Sequence, residues 1–507
     1  MAHPARRGLV RTIAWATLAL QSALIAGSAA AETEGTAAPQ AADAPLSADA
    51  WRARTETDLA AFADALRENF IHAAYPDPDG WHTWFDDTLA TVEAGLPRVR
   101  DEAGYQAVLR HLAATFQDAH VSVTFESPSS RPPHWAGFLA RFDSATGTYR
   151  VTASQQPEVP DGAEVSACDG TPVASWIATI AQYEIGLPDT LESTRFDAAP
   201  RLFVDRGNPL RPRPAHCTID GRRIALDWSE VSSQTLGSLI QNRRGGRTPG
   251  VDTRHIGDDG AWVTLGYFQP ADAQQAEAFH AAIAAAPALR DKRFIVLDVR
   301  GNGGGPYSWF MAYLRGLYGQ AYADHYATAR LHIRAVHRLS PAFVELLQEM
   351  KARDGDHGTP SDPPLERHAA ADDARRAQAI AAGDPLFHAT PPSMPRGAAP
   401  ENPVRAQVYV LTDYACASAC IALVDELERF PGVQQIGLPT FVDNRSGTSV
   451  PIPLPSGQAT AMIATMTRDG RIRDDNAPQV PSIRFDGDIF DDAAVEAWVV
   501  QDVLAEE

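Results

Sequence analysis

Lysine is nearly absent from this chain of 507 residues, with Lys292 and Lys351 as its only two examples. A mechanism that needs a lysine base can therefore draw on these two positions alone. Basic charge is scarce in general, because 44 Lys and Arg residues face 64 Asp and Glu residues and leave a net charge of −20. Such a charge argues against nucleic acid or an anionic membrane as a partner, because both bind basic surfaces.

Cysteine is rare as well. The chain has four cysteines, and this number allows three pairings in an oxidising compartment. The histidines and cysteines show no metal-ligand spacing, and the sequence contains no cofactor motif. We therefore expect neither a metal nor a cofactor.

Long apolar runs are also missing, and the N-terminal one, residues 12–27, is short for a membrane span. Three arginines precede this run and Ala29-Ala30-Ala31 follows it, which is the layout of a secretory signal peptide. We predict a signal peptide over 1–31, a flexible lead-in over 32–47, and a periplasmic or secreted mature protein without a membrane span. The Arg6-Arg7 pair leaves twin-arginine export open as a second route.

The stretch 407–427 contains a candidate nucleophile. Val408, Val410 and Leu411 indicate a buried strand, and apolar residues then recur at helical spacing. The small residues between these elements place Ser418 at a helix N-terminus, where backbone N–H groups and the helix dipole favour a developing negative charge. The alternative interpretation is a serine that only caps the helix.

A glycine-rich loop follows a second buried strand, residues 294–300. Its glycines leave backbone N–H groups open, so the loop can donate to an oxyanion that bulkier side chains would obstruct. A phosphate would also suit such a loop. However, no Gly-Lys-Ser/Thr follows, and the spacing fits neither a phosphate loop nor a dinucleotide fingerprint.

These segments resemble those of the S41 peptidases, the family of C-terminal processing and tricorn-type proteases, from about Trp51 to the C-terminus. The matching motifs are Asp-x-Arg-x-Asn-x-Gly-Gly at 298–305, the Ser-Ala turn at 417–420 and Gly-x-x-Thr at 437–440. The resemblance implies a serine protease with Ser418 as nucleophile. It also implies an oxyanion hole built from the following backbone donors: Ala419, Gly303, Gly304 and Gly305.

The base is expected to be a histidine. Most of this family pairs its serine with a lysine beyond the Gly-x-x-Thr segment, but no lysine follows Ser418 here. Arginine cannot replace it because its side chain stays protonated. The Asp118-Ala119-His120 junction resembles the branch that includes chlamydial protease-like activity factor (CPAF), which implies His120 as the general base. A histidine with a purely structural hydrogen bond is the alternative interpretation.

The catalytic acid is expected downstream of Ser418, in the segment 469–483. On the family's register, Asp475 takes the place of the glutamate that orients the histidine, and Asp474 is the second choice. Aspartate shortens the reach by one methylene, and Ser482 departs from the family's Pro-Asp-Ile pattern.

The resemblance further implies an α+β multidomain fold. It consists of an N-terminal helical domain over 48–126 that ends at the His120 junction, a PDZ-like β domain over 127–240, and a protease core over 255–505. This core is expected to be of the α/β ClpP/crotonase type with a partly parallel sheet. An insertion at about 322–405 suits either a lid or a surface excursion, and an unrelated small β domain is the alternative to the PDZ-like one.

Within this frame we favour two disulfides. Cys168 pairs with Cys217 in the PDZ-like domain, and Cys416 pairs with Cys420 across the nucleophile turn, within reach if that turn is helical. The second bridge would hold the turn rigid. An oxidising compartment also argues against Cys416 or Cys420 as a thiol nucleophile.

Two functions follow from these observations. The first is an exported serine endopeptidase that hydrolyses polypeptides through an acyl-enzyme. The second is a catalytically silent S41-like scaffold that binds peptides or a partner. The presence of Ser418, His120 and the glycine-rich loop favours the first, and the cleavage preference and oligomeric state stay open.

Overall fold

The computed structural model describes residues 46–127, 129–243, 250–353, 360, 363–391 and 397–505. The predicted signal peptide and nearly all of the lead-in lie outside these residues, as do 354–359, 361–362 and 392–396 of the insertion. The described ranges contain thirteen α-helices: α1 Ala48–Asn69, α2 Pro78–Glu93, α3 Glu102–Ala114, α4 Val173–Ile180, α5 Glu192–Ala198, α6 Ser233–Arg243, α7 Ala273–Ala285, α8 Tyr307–Tyr318, α9 Gln320–Tyr326, α10 Pro341–Arg353, α11 Pro363–Ala382, α12 Ala419–Leu427 and α13 Asp492–Gln501.

The same ranges contain twenty β-strands: β1 Ser122–Phe125, β2 His134–Trp135, β3 Leu139–Asp143, β4 Thr148–Thr152, β5 Val165–Cys168, β6 Thr171–Pro172, β7 Val204–Asp205, β8 His216–Ile219, β9 Arg222–Ala225, β10 Ser229–Glu230, β11 Val251–Ile256, β12 Gly260–Leu265, β13 Phe294–Asp298, β14 Arg334–Arg338, β15 Leu386–His388, β16 Gln407–Thr412, β17 Val433–Gly437, β18 Ser446–Pro453, β19 Ala459–Asp469 and β20 Ile483–Arg484. The α+β class is thereby confirmed. Within the described ranges, none of the helices is both long and apolar enough to cross a membrane.

A six-stranded sheet positions the predicted nucleophile and glycine-rich loop. Its order is β11-β12-β13-β16-β17-β20, with one antiparallel pair, β11 and β12, and parallel pairing elsewhere. Alternate residues of β13 enter different cores: Ile295 and Leu297 join one cluster, and Phe294 and Val296 join the other. Burial of both faces explains the continuous apolar run of β13. The predicted partly parallel sheet is confirmed.

A second sheet carries the segment that follows His120. It has the order β1-β19-β14-β15, with β18 paired to β19, and all of its pairs are antiparallel. One apolar cluster joins Phe62 and Leu109 of the N-terminal helices to Ile463 of β19 and Phe343 of α10. The helices of residues 48–126 therefore share their core with C-terminal strands. The segment 322–405 contributes β14 and β15 to this sheet, so part of it belongs to the body of the protein.

A third region is rich in short strands. Its four-stranded sheet has the order β6-β5-β8-β9, beside the β3–β4 hairpin, and it has its own apolar cluster. Cys168 and Cys217 occupy paired positions of β5 and β8 and form a disulfide, with their Cα atoms 4.0 Å apart. This bridge confirms the predicted pairing, while the PDZ-like interpretation of the region stays a prediction.

Candidate active site

Ser418 lies between β16 and α12 in an unusual backbone conformation. Its φ is 54° and its ψ is −118°, and its side chain makes no capping hydrogen bond to α12. A positive φ is uncommon for a residue with a Cβ atom, and such strain concentrates at functional sites. The alternative interpretation of Ser418 as a simple capping residue therefore does not hold, because the hydroxyl is not used for that purpose.

The glycine-rich loop packs directly against Ser418. β13 and β16 are parallel neighbours, so the loops at their carboxyl ends meet at the same edge of the sheet. The Ala417 amide donates to the Asn302 carbonyl oxygen over 3.0 Å. Gly304 has a φ of +100°, and a Cβ atom there would lie 2.8 Å from the Ser418 Cβ and from the Ala417 oxygen. Glycine is therefore required at this position for steric reasons.

The amides around Ser418 differ in what they bind. The Gly304 amide donates to Asn302 Oδ1 over 2.8 Å, so it already has an acceptor. Gly305 packs on Phe268, whose carbonyl oxygen would lie 2.3 Å from a Cβ atom at this position. Ala419 is the first residue of α12, where the helix offers no acceptor. In the described ranges neither its amide nor that of Gly303 makes a hydrogen bond.

A disulfide brackets the nucleophile turn. Cys416 and Cys420 are fully buried and joined, with their Cα atoms 5.2 Å apart. This bridge confirms the predicted pairing. Because both sulfur atoms are in the bond, neither cysteine is a free thiol, and the alternative of a thiol nucleophile is wrong for this structure.

Two buried carboxylates fix the glycine-rich loop and the nucleophile turn. Asp298 Oδ2 accepts from Arg300 Nη2 over 2.8 Å, and Arg300 also donates to the Ile489 carbonyl oxygen. Asp413 Oδ1 accepts from the amides of Gly301 and Ala415, each over 3.0 Å, and so ties the glycine-rich loop to the nucleophile turn. Sequence reasoning overlooked Asp413. The available signal was its position: Asp413 directly follows the buried strand β16, much as Asp298 ends the buried strand β13.

His120 is buried, with 7 % of its surface exposed, and its ring is held by Asp118. Asp118 Oδ1 lies 3.2 Å from His120 Nδ1 and also accepts from the His120 amide over 2.8 Å. The His120 carbonyl oxygen accepts from Ser449 Oγ over 2.7 Å. Burial alone would raise the pKa of Asp118, but the hydrogen bonds and charge of His120 hold it below its ordinary value.

The second ring nitrogen of His120, Nε2, makes no hydrogen bond within the described ranges, and none joins His120 to Ser418 there. One segment nevertheless connects the two residues. The Phe441 amide donates to the Cys416 carbonyl oxygen beside Ser418, and Ser449 farther along donates to His120. The structure thus links the predicted nucleophile and base through residues 441–449.

Within the described ranges, Asp475 makes neither a hydrogen bond nor an ion pair with His120. Its carboxylate accepts from the Arg445 amide over 2.7 Å and from Arg445 Nε over 2.8 Å, and Arg471 lies nearby. Asp474 is exposed. The structure therefore brings Asp118, rather than the predicted Asp475, to the histidine ring. The spacing Asp-x-His was the sequence signal for this pair.

Comparisons with known proteins identify the fold. No protein-family model and no curated protein matches the sequence. Among solved structures, mature CPAF complexed with lactacystin is 16% identical, with a TM-score of 0.59 over 90% of this chain and 99% of that chain. Mature CPAF is 15% identical, with a TM-score of 0.58 over 90% and 98%. A serine-to-alanine mutant of CPAF is 12% identical, with a TM-score of 0.55 over 89% and 98%.

These likenesses show that the chain has the CPAF fold over most of its length. The resemblance expected from the sequence motifs is confirmed at this level.

Proposed function

We propose that the chain is an exported serine endopeptidase of the S41 type that hydrolyses peptide bonds through an acyl-enzyme at Ser418. The observation that carries this proposal is the conformation of Ser418. Its hydroxyl does not cap α12, its backbone is held at a positive φ of 54°, and a glycine-rich loop packs against it. A helix N-terminus beside such a hydroxyl favours the negative charge that forms in acyl transfer.

His120 is the proposed general base. Its Nε2 accepts the Ser418 proton during attack, returns it to the leaving amine, and repeats both steps with water to release the acyl group. The amides of Ala419, Gly303 and Gly305 are the proposed oxyanion donors, because the Gly304 amide is engaged by Asn302. The Ser418 and His120 side chains have to close on each other when substrate binds, as catalytic hydrogen bonds often do.

Asp118 is the proposed orienting carboxylate, in place of Asp475. It contacts His120 Nδ1, and its lowered pKa keeps it charged beside an imidazolium. Asp475 instead neutralises Arg445. With Asp118 accepting from Nδ1–H, the neutral ring has its lone pair on Nε2, which is the tautomer that a base needs.

The proposed compartment is the periplasm or the exterior. Two disulfides suit an oxidising environment, and the sequence of residues 1–31 has the layout of a signal peptide. The proposed substrate is an unfolded polypeptide.

The test uses the mature chain, without residues 1–31, and its Ser418→Ala variant. We expect the wild type to cleave unfolded casein and to bind a fluorophosphonate covalently, and the variant to lose both activities. Ser482→Ala is the matched control, since this exposed serine donates, within the described part of the chain, only to the Gln435 carbonyl oxygen. Lactacystin, which is bound in a CPAF structure, serves as a second probe.

Labelling that persists in Ser418→Ala would contradict the assignment of the nucleophile. Absence of cleavage and labelling in the wild type would instead favour the silent peptide-binding scaffold.

A further inference from the structure

A second histidine, His72, lies near Asp118, in the turn after α1. Its Nδ1 is 3.1 Å from the Tyr75 carbonyl oxygen, and its Nε2 is 3.4 Å from Ser446 Oγ. A carbonyl oxygen only accepts hydrogen bonds, so Nδ1 of the neutral ring carries the proton and Nε2 accepts. While His72 is neutral, the Ser446 hydroxyl therefore donates a hydrogen bond to His72 Nε2.

Asp118 has one oxygen that lacks a donor. Oδ1 accepts both bonds from His120, whereas Oδ2 is buried and accepts no hydrogen bond within the described ranges. Burial alone would raise the pKa of Asp118, and the Ser446 hydroxyl is, after His120, one of the groups that hold it below its ordinary value. Ser446 is itself 2 % exposed, so water has little access to this contact. A buried carboxylate oxygen without a donor is costly, and Ser446 is the nearby group able to supply one.

We propose that His72 and Ser446 form a proton-linked support for the His120–Asp118 pair, an inference that rests on the proposed function of that pair. When His72 takes a proton from solvent, its Nε2–H donates to Ser446 Oγ. The hydroxyl then turns its own proton toward Asp118 Oδ2. Through Ser446, protonation of His72 thus changes the hydrogen bonding of Asp118, which holds the His120 ring. His72 and Ser446 are positioning residues in this scheme.

The groups around His72 set the pH range in which this link operates. Burial is the main cause that lowers the pKa of His72 below its ordinary value; Asp118 and Asp475 oppose this effect, and Arg445 adds to it. Arg468 donates to the Ser446 carbonyl oxygen over 2.7 Å and keeps Ser446 in place. His72 therefore becomes charged on the acid side of neutrality. There, the added donor from Ser446 weakens the hold of Asp118 on the His120 ring.

An NMR titration of the histidine rings in the mature protein tests this link without using activity. His72→Gln and His120→Gln variants assign the two signals. We expect the wild-type His120 ring signal to change as His72 becomes protonated, and this change to be lost in His72→Gln and in Ser446→Ala. Ser446→Thr keeps the hydroxyl and should keep the coupling. His72 is only partly buried, so His72→Gln carries the test if Ser446→Ala fails to fold.

A wild-type His120 signal that does not respond to protonation of His72, or one that still responds in Ser446→Ala, would overturn the link. The proposed function fails separately. Fluorophosphonate labelling of Ser418 without coupling between the histidines removes the link alone, and coupling without labelling removes the protease assignment while the link stands.

Discussion

The Ser418 side of the candidate site is shaped by the backbone, whereas the His120 side is shaped by side chains. Around Ser418, two parallel strands end at the same edge of the sheet, and Ser418, at a positive φ, packs against Gly304. Around His120, the ring and its segment are held by side-chain bonds from Asp118 and from Ser449, which lies 329 residues away. Changes of backbone shape should therefore damage the first side, and changes of single polar atoms should damage the second.

The largest effect is expected from the pair that holds the base. Asp118→Asn keeps the volume but removes the charge and the preference for Nδ1–H, so we expect kcat to fall about 10³-fold or more, close to His120→Ala. Asp475→Asn is the matched control and should change kcat little, since it removes a partly exposed ion pair with Arg445. Steady-state kinetics on one peptide substrate measures all three variants. The reverse order, with Asp475→Asn the more damaging, would restore the role that the family register gave to Asp475.

A glycine pair tests the backbone-shaped side. Gly304→Ala places a Cβ atom 2.8 Å from the Ala417 oxygen and from Ser418 Cβ at a φ of +100°, so the nucleophile turn has to shift. We expect kcat to fall about 10²-fold, as misplacement of reacting groups by about 1 Å does. Gly303→Ala is the comparison, because its Cβ atom would meet nothing within 4 Å and its amide is retained. Since Gly303 is itself a proposed oxyanion donor, we expect a smaller loss of kcat in this variant rather than none. Equal losses in both variants would mean that loop flexibility, and not close packing, explains these glycines.

The same contrast explains what the sequence revealed. The buried strands, the glycine-rich loop and the Ser418 turn were predicted because backbone geometry demands particular residue types, such as apolar runs and glycine, at fixed places. The two disulfides were predicted from their place in the expected fold. The orienting role of Asp475 was carried over from a family register, and the structure instead shows its carboxylate on Arg445. Which polar side chains meet across a sheet depends on tertiary packing, and no local pattern records the approach of Ser446 to His72.

The two disulfides extend the comparison to smaller effects. Replacing both Cys416 and Cys420 by alanine should lower kcat about tenfold, because the bridge brackets Ser418 and fixes its turn. Replacing both Cys168 and Cys217 should leave kcat unchanged but lower the free energy of unfolding by about 2–5 kcal/mol, since that bridge closes a loop with a sequence separation of 49. Kinetics and urea unfolding of both double variants separate the two roles. An unchanged kcat without the Cys416–Cys420 bridge would show that Gly304 and Asn302 hold the turn unaided.

At neutral pH the smallest effect is expected at His337, on strand β14 of the sheet that carries the His120 side. Its ring stacks on Phe343 at 5.3 Å, and its Nδ1 is buried without a hydrogen-bond partner in the described ranges. Burial, with the nearby charges of Arg376 and Arg468, lowers the pKa of His337 from 6.5 to about 3. Between these two pH values, His337 is therefore protonated in the unfolded chain but neutral in the folded chain.

His337 thus contributes no loss of stability above pH 6.5, and its penalty grows as the pH falls toward about 3. The slope for one such group is about 1.4 kcal/mol of unfolding free energy per pH unit. His337→Phe keeps an aromatic ring against Phe343 but removes the titration. We expect similar stability of variant and wild type at pH 7, and a widening advantage of the variant in urea unfolding as the pH is lowered. Carboxylate titration affects both proteins equally, so parallel curves would show that the folded protein admits the proton at His337.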